Sequence, residues 1–198
     1  VEKRTFNLSE LRAVDEANPR LLRGTAVVYE QPADMGGEWA EIISPGALTR
    51  SLASTRDIKA RYEHEALLAS SSNRTLVLKD GPRGLGVEID VAKTTTGDDV
   101  LELVGRGDIK GMSFGFIVPP GGSRWSRDSG KLTRTITDLD LHEVTVTDNP
   151  VYTGTTVALR SISAALLAEA KQQLDEITPP TATLAERRRQ LQRQRSAC

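Results

Sequence analysis

The sequence predicts a mainly β domain with peripheral helices, its sheet curled into a barrel or sandwich, followed by a helical tail. Three observations predict it. Most of the chain up to residue 160 falls into short β-branched or alternating runs separated by Gly- and Pro-rich turns. Helical signals are few in that stretch. From Ser161 the apolar residues Ile162, Ala165, Leu166, Ala170 and Leu174 recur at helical spacing until Thr178-Pro179-Pro180. The chain therefore divides into a β domain at 1–160 and a helical, basic tail at 161–198, with no internal repeat.

The elements follow in order. Leu22–Tyr29 forms a strand that runs into the turn-forming segment Gln31–Gly37, and Trp39–Ile43 forms a second, short strand. Ser44 and Pro45 supply an N-cap and a first helical residue for a helix through Leu52. Ile58–Tyr62 is a strand that delivers Glu63-His64-Glu65 at its end. Thr75–Asp80 and Gly84–Val91 alternate across the turn at Gly81-Pro82 and read as a hairpin. Thr94–Asp99 is a polar connection, and a helix from Asp98 through Val104 closes at Gly105 or Gly107. Ser113–Val118 is a strand ended by Pro119-Pro120-Gly121-Gly122. The clearest β run is Arg134–Thr137 with Asp138–Val146, stopping at Asp148-Asn149-Pro150.

Composition narrows the function. Lys+Arg 26 against Asp+Glu 27 gives a formal charge of -1, and no apolar run is long enough to span a membrane, so neither nucleic-acid coating nor membrane insertion is expected. The aromatic content of 4% leaves little for a base-stacking surface. The neutral total conceals a basic end, where Arg187, Arg188, Arg189, Arg193 and Arg195 face the single acid Glu186. The one Cys, at position 198, excludes an internal disulfide, and with two His a metal cluster is not expected; no cofactor is implied. An imidazole base has two candidates, His64 and His142.

Gly111-Met112-Ser113-Phe114-Gly115 matches the letters of the G-x-S-x-G nucleophile elbow. The context does not fit it. An elbow needs a strand before the serine and a helix after it, whereas a strand follows Ser113, and His142 comes too soon for the intervening units of an α/β-hydrolase. A serine nucleophile still needs a base and a group that orients the base, recognised by geometry and not by chain order. His64, between two acids at a strand end, is as compatible with a surface histidine as with a base. His142 and Glu143 are neighbours on one strand and point to opposite faces. By alternation Glu143 shares a face with Leu139, Leu141 and Thr145, and His142 with Val144 and Val146. Alternation does not choose between them.

The segments Arg23–Tyr29, Glu41–Ala47, Tyr62-Glu63-His64, Gly84-Leu85, Gly111–Phe116 and Leu141–Val146 with Asn149-Pro150 together resemble the prohead (capsid maturation) protease family of tailed bacteriophages, itself similar to the herpesvirus assemblins. The resemblance spans about residues 22 to 157. It implies a closed or partly closed β-barrel of the herpesvirus-protease type and a serine endopeptidase with Ser113 as nucleophile, His64 as base and Glu143 as the third member. The herpesvirus relatives place a histidine third, which keeps His142 in view. Their arginine pair that supports the oxyanion has no counterpart in Asn149-Pro150-Val151-Tyr152.

The resemblance also implies the setting. Substrates would be the scaffolding protein or a scaffold segment of the major capsid protein, cleaved inside the assembling prohead in the host cytoplasm, together with the protease's own tail. A homodimer or an assembly-dependent oligomer is expected. The rival reading is a catalytically inactive, protease-like scaffolding protein of capsid assembly.

Overall fold

A computed structural model describes residues 1–6, 11–13, 18–35, 37, 39–128, 131–148 and 166–175. Its strands are β1 (Glu2–Phe6), β2 (Arg12–Ala13), β3 (Leu21–Val28), β4 (Ala33–Met35), β5 (Trp39–Ile43), β6 (Lys59–Tyr62), β7 (Ala66–Ser70), β8 (Leu76–Gly81), β9 (Gly84–Asp90), β10 (Gly111–Ile117), β11 (Ser123–Asp128), β12 (Lys131–Ile136) and β13 (Asp140–Thr147). Helices α1 (Thr49–Leu52) and α2 (Thr95–Arg106) lie between them, and residues 166–175 form a third helix, α3.

The strands make three sheets, ordered β1-β10-β13-β6-β7, β11-β12-β5-β4 and β2-β3-β9-β8. The mainly β class expected from the alternation is present. The closed barrel is not: the described sheets are open, because β1 and β7 edge the five-stranded sheet without pairing to each other. Most pairings are antiparallel, while β12 runs parallel to β5 and β13 parallel to β6. The sheets share one large apolar core that includes Leu22, Ile43, Leu85, Ile89, Met112, Phe114, Phe116, Ile136, Leu141, Val144 and Val146.

Local chemistry explains most elements. The hairpin of β8 and β9 forms as expected, its register closing at Gly81 opposite Gly84. The polar Thr94–Asp99 segment is not a connection but the first turn of α2: Thr94 Oγ1 accepts from the Gly97 N–H at 3.0 Å and caps the helix. Gly107, at φ +79°, ends it in the left-handed conformation. The helix expected from Ser44 shortens to α1, because Gly46 takes φ +86° and interrupts a helical path. Within Gln31–Gly37 the chain forms β4, since Ala33 and Met35 are buried and Asp34 lies opposite Ala40 of β5. The Arg134–Val146 run is two strands in different sheets. The helix expected from Ser161 is described only at 166–175; the residues from 149 to 165 and the basic end lie outside the described residues.

The β10–β13 register jumps between Gly115, opposite Glu143, and Phe116, opposite Leu141, which leaves His142 as an extra residue in β13. A β-bulge of this kind resets the alternation. Leu141 consequently faces the core at 0% exposure, whereas Glu143 and Thr145 share the other face of the sheet. Simple alternation had grouped Glu143 with Leu141.

Candidate active site

The outer face of the five-stranded sheet carries two rows of residues fixed by register. Ser113 on β10 lies opposite Thr145 on β13, and Thr145 opposite Arg61 on β6. In the next row Gly115 lies opposite Glu143, and Glu143 opposite Lys59. Cross-strand neighbours in such a ladder stand about 4.5–5.5 Å apart at Cα. The core takes the intervening residues Met112, Phe114, Val144 and Val146, so the chemistry-bearing side chains are left together on one side.

His64 reaches this face from the turn that joins β6 to β7. The turn is closed by the Glu65 N–H donating to the Tyr62 carbonyl at 3.0 Å, with Glu63 at φ +50° and His64 at φ +62°. Two consecutive positive φ values belong to a turn that usually takes Asn-Gly, and non-glycine residues there cost about 1–2 kcal/mol each. Glu63 offsets part of this cost: its N–H donates to the Val146 carbonyl at 3.1 Å, and its Oε1 accepts from the Asp148 N–H at 2.9 Å. The turn is thereby stitched to the end of β13.

The imidazole then folds back over the sheet. His64 Nδ1 lies 2.7 Å from Glu143 Oε1 and 3.2 Å from Thr145 Oγ1. A carboxylate only accepts, so Nδ1 is the donor in this contact. The His64 and Glu143 side chains are each 15% exposed, which shelters their contact from water. The second oxygen of Glu143, Oε2, pairs with Arg61 Nε at 3.0 Å. Gly115 leaves the room that Glu143 occupies.

Ser113 is fully buried, and its Oγ donates to the Arg4 carbonyl of β1 at 2.8 Å. The structure thus joins His64 to Glu143 by a hydrogen bond and sets Ser113 beside Thr145 on the same face, with its hydroxyl turned toward β1. His142 stands apart from this group. Arg56 Nη1 lies 3.3 and 3.2 Å from its two ring nitrogens, and burial, then the Arg56 charge, pushes its pKa below the usual imidazole value. Among the described residues no group of three or more His, Cys, Asp or Glu side chains is placed to hold a metal ion, and no helix is long and apolar enough to cross a membrane.

Sequence reasoning missed the anchor of β1. Arg4 is buried and donates through Nη2 to Glu41 Oε2 at 3.1 Å and to Glu2 Oε2 at 2.6 Å. Arg134 Nη1 donates to Glu2 at 3.0 Å and to Glu41 at 3.2 Å. Arg4 also lies over the Phe116 ring, 5.5 Å from its centroid. Buried Arg4, Glu41 and Arg134, with half-buried Glu2, anchor the strand whose carbonyl holds the Ser113 hydroxyl. The alternation of Glu41 with Ala40 and Ile42 gave no sign of its burial, because its partners come from two other strands, β1 and β12.

A model of serine proteases matches the chain over residues 8–170, which places it in that class of hydrolases by descent. The match covers most of the sequence, and the chain belongs to the caudovirus prohead serine protease family. Membership implies a capsid maturation protease acting in the assembling capsid within the host. No curated protein and no solved structure matches the chain.

Proposed function

We propose that the chain is a serine endopeptidase of prohead maturation that works through Ser113, His64 and Glu143. The observation that carries this reading is the 2.7 Å His64–Glu143 contact on the sheet face that also bears Ser113. In the resting arrangement the Ser113 proton is held by the Arg4 carbonyl. The mechanism requires the hydroxyl to leave that carbonyl by turning about its Cα–Cβ bond, so that His64 Nε2 takes the proton as Oγ attacks a peptide carbonyl. Glu143 fixes the tautomer and stabilises the imidazolium. The protonated imidazole then protonates the leaving amine, and water, activated by the same imidazole, releases the acyl group. The segment after Asp148, where the herpesvirus assemblins place oxyanion support, lies outside the described residues.

On this reading the substrates are the scaffolding protein or a scaffold segment of the major capsid protein, and the chain's own tail at 161–198. The enzyme acts inside the immature shell, as a homodimer or an assembly-dependent oligomer. Co-expression with the major capsid protein tests it. Specific capsid cleavage in the parent, lost in Ser113→Ala and His64→Ala, is expected, together with a shorter tail in the parent by intact mass. Equal cleavage in parent and variants overturns the assignment. A second reading, a protease-like scaffolding protein without turnover, is favoured by one observation: Ser113 is wholly buried with its hydroxyl committed to β1. Normal capsid assembly with no cleavage in any of the three proteins would establish it.

A further inference from the structure

We propose that Arg61 is a positioning residue for the His64–Glu143 pair, a role that rests on the serine-peptidase reading of that pair. Arg61 occupies β6 directly opposite Thr145, on the same sheet face as Ser113 and Glu143. Its guanidinium makes two contacts in different directions. Nε holds Glu143 Oε2 at 3.0 Å, and Nη1 donates to the backbone carbonyl of Glu65 at 2.7 Å. One rigid plane therefore ties the carboxylate to the residue that follows His64 in its turn.

The need for such a tie is visible in both partners. Glu143 has three rotatable side-chain bonds, and His64 Nδ1 takes only Oε1; without Arg61 the carboxylate is free to swing about that single contact. His64 sits in a turn with two non-glycine residues at positive φ, a conformation that persists only where its surroundings enforce it. Arg61 is the side chain that engages both. At 31% side-chain exposure it is sheltered enough for its two hydrogen bonds to hold a fixed geometry, yet it is not sealed in the core. A lysine supplies the charge without the fork, so it can hold one of the two groups but not both.

The test uses p-nitrophenyl acetate as an acyl donor to the full chain, with the Ser113→Ala rate subtracted, and the far-downfield proton resonance of the His64 Nδ1–H. The chain has only two histidines, so His142→Gln assigns the ring signals. Arg61→Ala and the better-matched Arg61→Gln are expected to lower Ser113 acylation about 10- to 100-fold, the range found for outer partners of a reacting group. They also broaden or remove the Nδ1–H resonance. Arg61→Lys recovers part of the rate. The inference is overturned if Arg61→Gln, folded by its thermal transition, keeps the parent's rate and resonance. If instead Ser113→Ala hydrolyses the ester as fast as the parent, the peptidase reading fails, and the Nδ1–H resonance alone still decides whether Arg61 positions the pair.

Discussion

A β-carbon at position 115 would sit 2.9 Å from Glu143 Cγ and 3.2 Å from its Oε1, closer than a side chain can tolerate without moving. One at position 111 would meet the Thr147 carbonyl at 2.7 Å. Both glycines of Gly111-Met112-Ser113-Phe114-Gly115 thus clear the path of β13, the strand that carries the acid, and neither forms an elbow. This gives the motif a physical meaning in a strand. Gly115→Ala is expected to displace the Glu143 carboxylate, lower stability by about 1–3 kcal/mol and reduce Ser113 acylation about a hundredfold. Ester kinetics and a denaturation curve check it; an unchanged rate would show that Glu143 tolerates displacement. The members of the proposed site, Ser113, His64 and Glu143, each stand in a recognisable segment of the sequence. Which of His142 and Glu143 shares the face of Ser113 was not legible from alternation. It depended on a bulge, and a bulge is a property of the paired register, which one strand's pattern does not contain.

At the scale of elements, β6 and β7 hold the His64 turn, and their far end is fastened by Asp57. Its carboxylate accepts from Lys59 Nζ, Ser70 Oγ and the Ser72 N–H and Oγ, at distances of 2.5 to 3.1 Å. The Lys59 contact above all, then the Ser70 hydroxyl, holds the Asp57 pKa well below the usual carboxylate range. Asp34, Glu88 and Asp140 are shifted in the same direction, first by Lys131, Lys79 and Arg50 respectively. A carboxyl whose folded pKa is depressed adds stability above its unfolded value, near 3.9 for Asp, and loses it as the pH falls through the lower folded value. Unfolding midpoints in urea are therefore expected to fall steeply below about pH 4. Asp57→Asn should flatten that slope, and added salt should do so for the exposed pairs. Parallel slopes for parent and variant would remove Asp57 from the account. Elements with their own punctuation, the β8–β9 hairpin and the Gly107 end of α2, were readable in advance. Those defined by a partner were not: β1, β4 and β7 have weak patterns of their own and exist because β10, β5 and β6 offer them an edge.

The whole molecule joins its three open sheets through one apolar core, with a second, smaller core on the β11-β12-β5-β4 sheet. There Met35, Trp39 and Trp125 pack against Leu166 and Ala170 of α3. The two indoles lie 5.1 Å apart between centroids. Polar contacts align the helix: Ser123 Oγ donates to Glu169 Oε1 at 3.0 Å, and the Trp125 backbone N–H donates to Gln173 Oε1 at 3.0 Å. The described part of the proposed tail at 161–198, residues 166–175, is therefore seated on the β11-β12-β5-β4 sheet, and the family match, ending at residue 170, stops inside that helix. Composition alone placed the boundary at the change of pattern, because helical spacing reveals an apolar face but not the surface that receives it. The arrangement supplies a selective probe. Both tryptophans of the chain lie in this one cluster, so indole emission reports the docking of α3 and little else. Ala170 is 1% exposed, and Ala170→Glu places a carboxylate against an apolar contact that cannot pair with it, a cost of several kcal/mol that undocking avoids. The expected outcome is a red-shifted emission with the far-ultraviolet β signal retained and Ser113 acylation preserved, since the site lies on a different sheet. If emission and activity instead vanish together, α3 is part of the molecule's cooperative core, and the proposed cleavage of the tail is compatible with an active product only after residue 175.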